Sequence, residues 1–326
     1  MIEEYFFDEI EVCECIGMFE DEYVYDIEVT DETHTFIAND ILVHNSLYTS
    51  YENLIKTIDG YEKMSTQEIL KVLVEFNTKF LDNHNKEFIT KYYNTRFGKS
   101  VHEFELETIA KSGVWLDVKK RYAQILLWKD GKYYDEDDLP MKTKGLEMVK
   151  SSVPKFARGI LTRLVRYFLE ESDDMIVQKL NMKVQQEKQG FLNADIETIS
   201  GNMKVNNYTK YIEDDCGASL KVASKCPSNV RAAGNYNQIR NYHKLPGDPI
   251  YGGKVKWYKY KVPGSMNKID YFAFQSMNYP EWADKYAPVC RKSMFEQFVL
   301  DPFNRITGPV GIPALEYDGN IQISLF

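Results

Sequence analysis

The chain has 326 residues, with 40 Lys and Arg against 49 Asp and Glu, for a net charge of −9. That length is too great for one small core and calls for two or three domains. The sequence shows no apolar run of bilayer length and no signal peptide, and a cytosolic protein without a membrane partner is expected.

The charge is unevenly spread. Residues 1–45 hold 14 acidic and no basic residues; the remainder holds 40 basic and 49 − 14 = 35 acidic, a balance of +5. An acidic segment of this kind repels nucleic acid and attracts a basic protein surface. It is also rich in Phe, Tyr, Ile and Val, unlike a solubilising tail. The five cysteines, at 13, 15, 216, 226 and 290, form no CxxC pair and no Cys/His cluster, so free thiols and no zinc are expected.

From the N-terminus, "IEVCECIG", "YVYDIEV", "HTFIA" and "DILVH" alternate or carry β-branched residues between acidic turns, and predict short strands. Forty-five residues of strand bury too little surface to fold alone, so this part needs a partner. Beyond Ser46 the pattern changes. Ser65 and Thr66 open an amphipathic helix with Ile69, Leu70, Leu73, Phe76 and Phe80 on one side. "HEFELETI", "VWLDV" and "RYAQILLW" predict strands, and Lys129-Asp130-Gly131-Lys132 a turn. Ser151-Ser152 with Pro154 starts a helix carrying Phe156, Ile160, Leu164 and Phe168, and another spans about 174–188. "NVRAAGNYNQIRN" is helical, and "KVKWYKYKV" and "IDYFAF" are strands.

The junction His44-Asn45-Ser46 carries chemistry. An Asn side-chain amide can attack its own backbone carbonyl, forming a succinimide and breaking the next peptide bond. The reaction is intramolecular and gains from proximity. His44 is placed to give the departing amine its proton, and Ser46 offers a hydroxyl nucleophile. A surface turn explains the triplet equally well on its own.

The wider segment decides between them. Val24-Tyr25-Asp26-Ile27-Glu28-Val29, His34-Thr35-Phe36-Ile37-Ala38-Asn39, Ile41-Leu42-Val43 and His44-Asn45-Ser46 resemble, in order, the C-terminal splicing blocks of inteins. The resemblance implies that Asn45 cyclises with help from His44, that Ser46 is the downstream acceptor, and that Asp26 and His34 fall on the family's assisting positions. Asp40 stands where the family often has Gly, and Asp tolerates left-handed backbone. No initiating Cys or Ser and no Thr-x-x-His block precedes Val24, which implies the C-terminal half of a split intein, with a basic N-terminal half elsewhere as partner and no cofactor.

The attached part resembles family B DNA polymerases, and within them those of T-even phages. Ser46-Leu47-Tyr48 is similar to the continuation of the palm motif Asp-Thr-Asp-Ser. Lys119-Lys120-Arg121-Tyr122-Ala123 resembles the KKRYA segment and Lys144-Gly145-Leu146-Glu147 the Lys-Gly-x-Glu after it. Lys150-Ser151-Ser152-Val153-Pro154-Lys155, Cys226-Pro227 with Val230-Arg231, and "YGGKVKWYKYKV" resemble thumb segments. By that resemblance Lys119, Lys120 and Tyr122 contact primer–template DNA, and Glu105 and Glu107 are palm carboxylates. The assembled enzyme uses Mg²⁺ held by aspartates upstream of this chain. A phage gene product in the host cytosol is implied.

The expected architecture is therefore multidomain: an all-β Hint-type intein fragment (1–45), an α+β palm remainder (46–150), a mostly helical thumb (151–316) and a tail (317–326). "EYDGN" is expected to leave that tail free. Its end, Gln322-Ile323-Ser324-Leu325-Phe326, resembles sliding-clamp peptides, with Gln322, Leu325 and Phe326 as contacts. The alternative reading is a non-splicing acidic β module fused to a DNA-binding domain.

Overall fold

The computed structural model describes the backbone of residues 13–19, 22–27, 35–38 and 41–44, and describes 50–84, 87, 106–118, 120–171 and 175–320 with their side chains. The chain divides into two compact units. One comprises Met1–Ile109 and Lys129–Gly131, the other Ala110–Trp128 and Lys132–Phe326. Both helices and several separate sheets are present, a mixed α/β architecture.

In the first unit, β1 (Cys13–Phe19) pairs antiparallel with β2 (Glu22–Ile27), with an irregularity between Cys15 and Gly17. Asp26 lies in β2, opposite Glu14. Strands β3 (Thr35–Ala38) and β4 (Ile41–His44) form a second antiparallel pair, in which Thr35 faces His44 and Ala38 faces Ile41. The four predicted strands are thus present as two hairpins.

The predicted helix runs over Thr66–Phe76. Ser65 caps it with a reciprocal box: its hydroxyl accepts from the Glu68 amide, and the Glu68 carboxylate accepts from the Ser65 amide at 2.8 Å. Leu70 and Leu73 are buried, but Phe80 is exposed and lies stacked on Phe76 with centroids 5.3 Å apart. The reason is a π-type turn over Asn77–Leu81. There the buried Asn77 amide donates to the Leu73 carbonyl at 2.8 Å and its Oδ1 accepts from the Tyr51 hydroxyl at 2.8 Å. The added residue per turn rotates Phe80 off the buried stripe.

β5 (Thr108–Trp115), β6 (Tyr122–Lys129), β7 (Lys132–Tyr133) and β8 (Met141–Lys144), whose residues belong to the second unit except Thr108, Ile109 and Lys129, form a sheet in which β6 pairs with the other three. β6 is buried on both faces from Tyr122 to Trp128. One strand therefore replaces the predicted break between "HEFELETI" and "VWLDV". It passes through Gly113, and Leu116–Val118 belong to a turn.

A second sheet has the order β13–β12–β9, with β9 at Gly201–Val205, β12 at Gly253–Lys261 and β13 at Ile269–Phe274, and between β9 and β12 in the chain the short strands β10 (Ile212–Asp214) and β11 (Lys221–Val222) form an antiparallel pair of their own. Alternation along β12 sends Val255 and Trp257 one way and Tyr258 and Tyr260 the other. Trp257 meets Phe298, 5.4 Å between centroids. Tyr258 meets Phe272 at 5.3 Å, and Phe272 is capped in turn by Tyr236 of the Ser228–Tyr242 helix at 5.7 Å. That helix has no single apolar stripe because it is buried nearly all round from Val230 to Ile239. Its polar side chains carry structural bonds. Asn237 donates to the Ile250 carbonyl and accepts from the Ile250 amide, at 2.9 and 2.7 Å, and also donates to the Tyr208 hydroxyl at 2.9 Å. The Tyr208 hydroxyl in turn donates to the Asp215 carboxylate at 2.7 Å.

The Lys155–Glu170 and Ile176–Asn193 helices pack together. The second outruns its predicted end by five residues, through Gly190, because Phe191 is fully buried against Phe295 at 5.4 Å. Arg291 then closes the helix by donating to the Ala194 carbonyl at 2.6 Å.

"EYDGN" does not stand free. Lys188 donates to the Tyr317 carbonyl at 2.7 Å, and Asn181 to the Gly319 carbonyl at 2.7 Å. The ammonium groups of Lys188 and Lys292 sit 4.5 and 4.9 Å from the Tyr317 ring centroid. This corrects the expectation of a tail detached from residue 317: the chain is anchored through Gly319.

Candidate nucleic-acid interface

The KKRYA-like and Lys-Gly-x-Glu-like segments lie side by side. β6 and β8 are antiparallel, with Tyr122 opposite Lys144 and Gln124 opposite Lys142. Partners in such a ladder share a face. The Lys142 ammonium accordingly lies 5.9 Å from the buried Tyr122 ring centroid.

The turn before β6 is closed by the Leu116 amide donating to the Arg121 carbonyl at 3.0 Å. Lys120 within it adopts a left-handed conformation, φ +60°, which costs a non-glycine residue about 1 kcal/mol or more. Gly145 also has positive φ, +67°, and a Cβ there would lie 2.4 Å from the Lys120 carbonyl oxygen and 2.9 Å from Arg121 Cγ. The two motifs are thus locked by a backbone contact that only glycine permits. It fixes the exposed Lys120 at the end of a rigid sheet.

Glu147, the acid of the second motif, is half-buried and holds two cations, the Lys150 and Arg305 groups, each at 3.2 Å. The Ser151 and Ser152 carbonyls accept from the Asn202 side chain and amide at 3.1 and 3.2 Å, which ties this loop to β9. Arg231 forms a two-toothed pair with the buried Asp270, at 2.9 Å through both Nε and Nη2, and the Tyr271 amide adds a bond at 2.8 Å. The carboxylate beside it holds the Arg231 guanidinium above its ordinary range. Burial pushes the neighbouring Cys226 thiol up, which keeps it protonated and unreactive.

Among the predicted site residues, Lys120 and Tyr122 are brought together with Lys142 and Lys144. Glu107 is exposed beside the start of β5, its carbonyl accepting from the Asp130 amide at 3.2 Å. His44 closes β4 and Asp26 lies in β2. Asn45, Ser46, His34, Lys119, Glu105, Gln322, Leu325 and Phe326 lie outside the described residues. No group of three His, Cys, Asp or Glu side chains that would hold a metal occurs among the described residues. Nor, among them, is any helix long and apolar enough to cross a membrane.

Sequence reasoning missed the Lys120–Gly145 contact, the role of Gly113 under Trp115, and Asp270. The last left a signal: an acid inside the apolar strand "IDYFAF" demands a buried cation.

No family model matches the chain. It is 31% identical over 149 residues to a DNA polymerase of Thermococcus litoralis, a stretch that makes up 46% of this chain and 7% of that protein. The likeness is to DNA polymerases. A DNA polymerase of Thermococcus hydrothermalis is 29% identical over 153 residues, and one of Thermococcus aggregans 32% over 149. The match spans only about 7% of the length of these relatives.

Proposed function

We propose that the chain is a splicing precursor: an intein C-terminal segment that excises itself at Asn45 and delivers residues 46–326 as the C-terminal part of a family B DNA polymerase. The observation that carries this is the order of motifs on either side of one bond. A segment that resembles the intein C-terminal blocks ends at Asn45, and segments that resemble those of polymerases follow from Ser46 onward. The likeness to Thermococcus DNA polymerases supports the polymerase half. The strand pairing that sets Thr35 against His44 is compatible with the splicing half.

In the chemistry proposed, the Asn45 side-chain nitrogen attacks the Asn45 carbonyl carbon. The bond to the Ser46 nitrogen breaks, and that amine leaves with a proton passed by the His44 imidazole. Asp26 and His34 assist, and Ser46 Oγ is the acceptor for the upstream protein. An N-terminal intein half supplies the first nucleophile, and the 14 acidic residues of 1–45 steer a basic partner into place. In the polymerase part, Lys119, Lys120 and Tyr122 contact the primer–template duplex through its backbone, as suits an enzyme that accepts every sequence. Glu105 and Glu107 border the metal site, whose Mg²⁺ the upstream aspartates hold. The last residues, with Gln322, Leu325 and Phe326, bind a sliding clamp.

Substitution at the junction tests the splicing reading. Asn45→Ala is expected to abolish release at Ser46, and Ser46→Ala to block ligation while cleavage at Asn45 continues. Full-length ligated product from Asn45→Ala overturns the proposal and leaves the alternative, an acidic β module joined to a DNA-binding domain.

A further inference from the structure

Residues 316–320 make a turn of one defined kind. The Gly319 amide donates to the Glu316 carbonyl and the Glu316 amide to the Asn320 carbonyl, both at 3.1 Å, and Gly319 has φ +82°. These are the marks of a three-residue hairpin loop, a type I turn closed by a left-handed glycine. Such a loop sends the chain back antiparallel to the arm that entered it. Along the entering arm the side chains alternate: Ala314 and Glu316 are exposed, while Leu315 between them is 2% exposed. Glu316 is paired with Asn320, so the register sets Leu315 opposite Ile321 and Pro313 opposite Ile323, on the buried side. Gln322 and Ser324 then share the outer side with Ala314 and Glu316. The order Ile-Gln-Ile-Ser is the one that this register asks for, and Pro313 falls at a position whose amide the ladder does not use.

An asparagine meets each edge of the turn. On the entering edge, Asn304 of the Asp301–Thr307 helix donates to the Leu315 carbonyl at 2.9 Å and accepts from the Leu315 amide at 3.0 Å. Leu315 stands at a non-bonded pair, whose amide and carbonyl point out of a hairpin, so this contact fits the register. On the other edge, Asn181 donates to the Gly319 carbonyl, but its buried Oδ1 has no partner among the described residues. A buried acceptor left unmet is costly. In extended backbone the carbonyl before a residue and the amide after it point the same way. The amide that follows the Gly319 carbonyl toward Asn181 is that of Ile321.

We propose that residues 321–323 are the occupant of this edge, closing a hairpin on 313–315 with the Ile321 amide on Asn181 Oδ1 and Gln322 paired with Ala314, and that this strap withholds the C-terminal peptide. The Ile312 amide is already taken by the Thr307 carbonyl at 3.3 Å, so the ladder ends there and residues 324–326 extend beyond it. The strap rests on the clamp-peptide reading above only for the partner it regulates. A partner that takes the peptide extended binds the released fraction alone, and its apparent affinity falls by that fraction.

Carboxypeptidase digestion of the full chain, followed by intact mass, tests the strap without any clamp. Wild-type protein is expected to lose Phe326, Leu325 and Ser324 quickly and then to release Ile323 and Gln322 about tenfold more slowly, as a strand closed about nine-tenths of the time would. Ile321→Asp, which sets a charge on the buried side, and Asn181→Ala, which removes the clamp on the return edge, are expected to lose the pause, and Ile321→Val to keep it. If wild-type protein is trimmed past Gln322 as fast as Ile321→Asp, the strap is refuted and the clamp-peptide reading stands. If both pause alike, the pause belongs to the protease and the strap is refuted as well.

Discussion

Gly145→Ala probes the contact on which the candidate interface depends. Two costs arise. Alanine at φ +67° pays for left-handed backbone, about 1–2 kcal/mol. Its methyl would also meet the Lys120 carbonyl oxygen at 2.4 Å. Backbone cannot swing aside as a side-chain tip can, so the turn must move, at about 1–3 kcal/mol. Gly131 supplies an internal control: its φ is +85°, and nothing lies within 4 Å of a Cβ there. Gly131→Ala therefore carries the first cost alone. Urea unfolding followed by tryptophan fluorescence should show Gly145→Ala losing about 2–5 kcal/mol and Gly131→Ala about 1–2. Duplex-DNA affinity should fall only for Gly145→Ala, since only that change displaces Lys120. Equal losses for the two variants would show that the close approach does not hold the motifs together.

Removing the Arg231 guanidinium leaves Asp270 buried and unpaired, so Arg231→Ala should cost about 3–5 kcal/mol in urea, and Asp270→Asn less; a change in Arg231→Ala below about 0.5 kcal/mol would mean that the pair is not a brace. Burial pushes the phenols of Tyr208, Tyr258, Tyr260 and Tyr279 above their ordinary value of 10.0. The folded state then keeps protons that the unfolded chain gives up, so stability is intact below about pH 10 and falls as pH rises above it; a urea midpoint that does not move between about pH 8 and pH 11 would contradict that.

Much of the fold was legible because local chemistry and tertiary packing agree. Ser65 and Glu68 announce a capped helix, and the alternation in "KVKWYKYKV" announces a half-buried strand. Where the two conflict, packing won. Gly113 looks like a break because glycine weakens strands, yet it is needed under the Trp115 ring. Gly190 looks like a stop, yet Phe191 has to reach Phe295. The buried Asn77 adds a residue to one helical turn, which apolar periodicity cannot register. The same holds for the interface. Motif spacing brought out Lys120, Tyr122 and Lys144 separately, but their adjacency depends on an antiparallel register and on one glycine beside a carbonyl 25 residues away in sequence. The anchoring of Tyr317 and Gly319 was hidden for a like reason. Polar residues near Gly resemble a free linker until Lys188 and Asn181, more than 120 residues earlier, are seen to hold their carbonyls.

The proposed splicing function turns on one bond, and intact-mass spectrometry tests it most directly. The full chain is mixed with an intein N-terminal half carrying an upstream polymerase fragment, and the masses are followed with time. The account predicts three new species: residues 46–326 joined through Ser46 to the upstream fragment, the intein N-terminal half freed of that fragment, and residues 1–45 one water lighter than the free acid, as a succinimide at Asn45 requires. An unchanged full-length chain, or cleavage at any bond other than Asn45–Ser46, would contradict it.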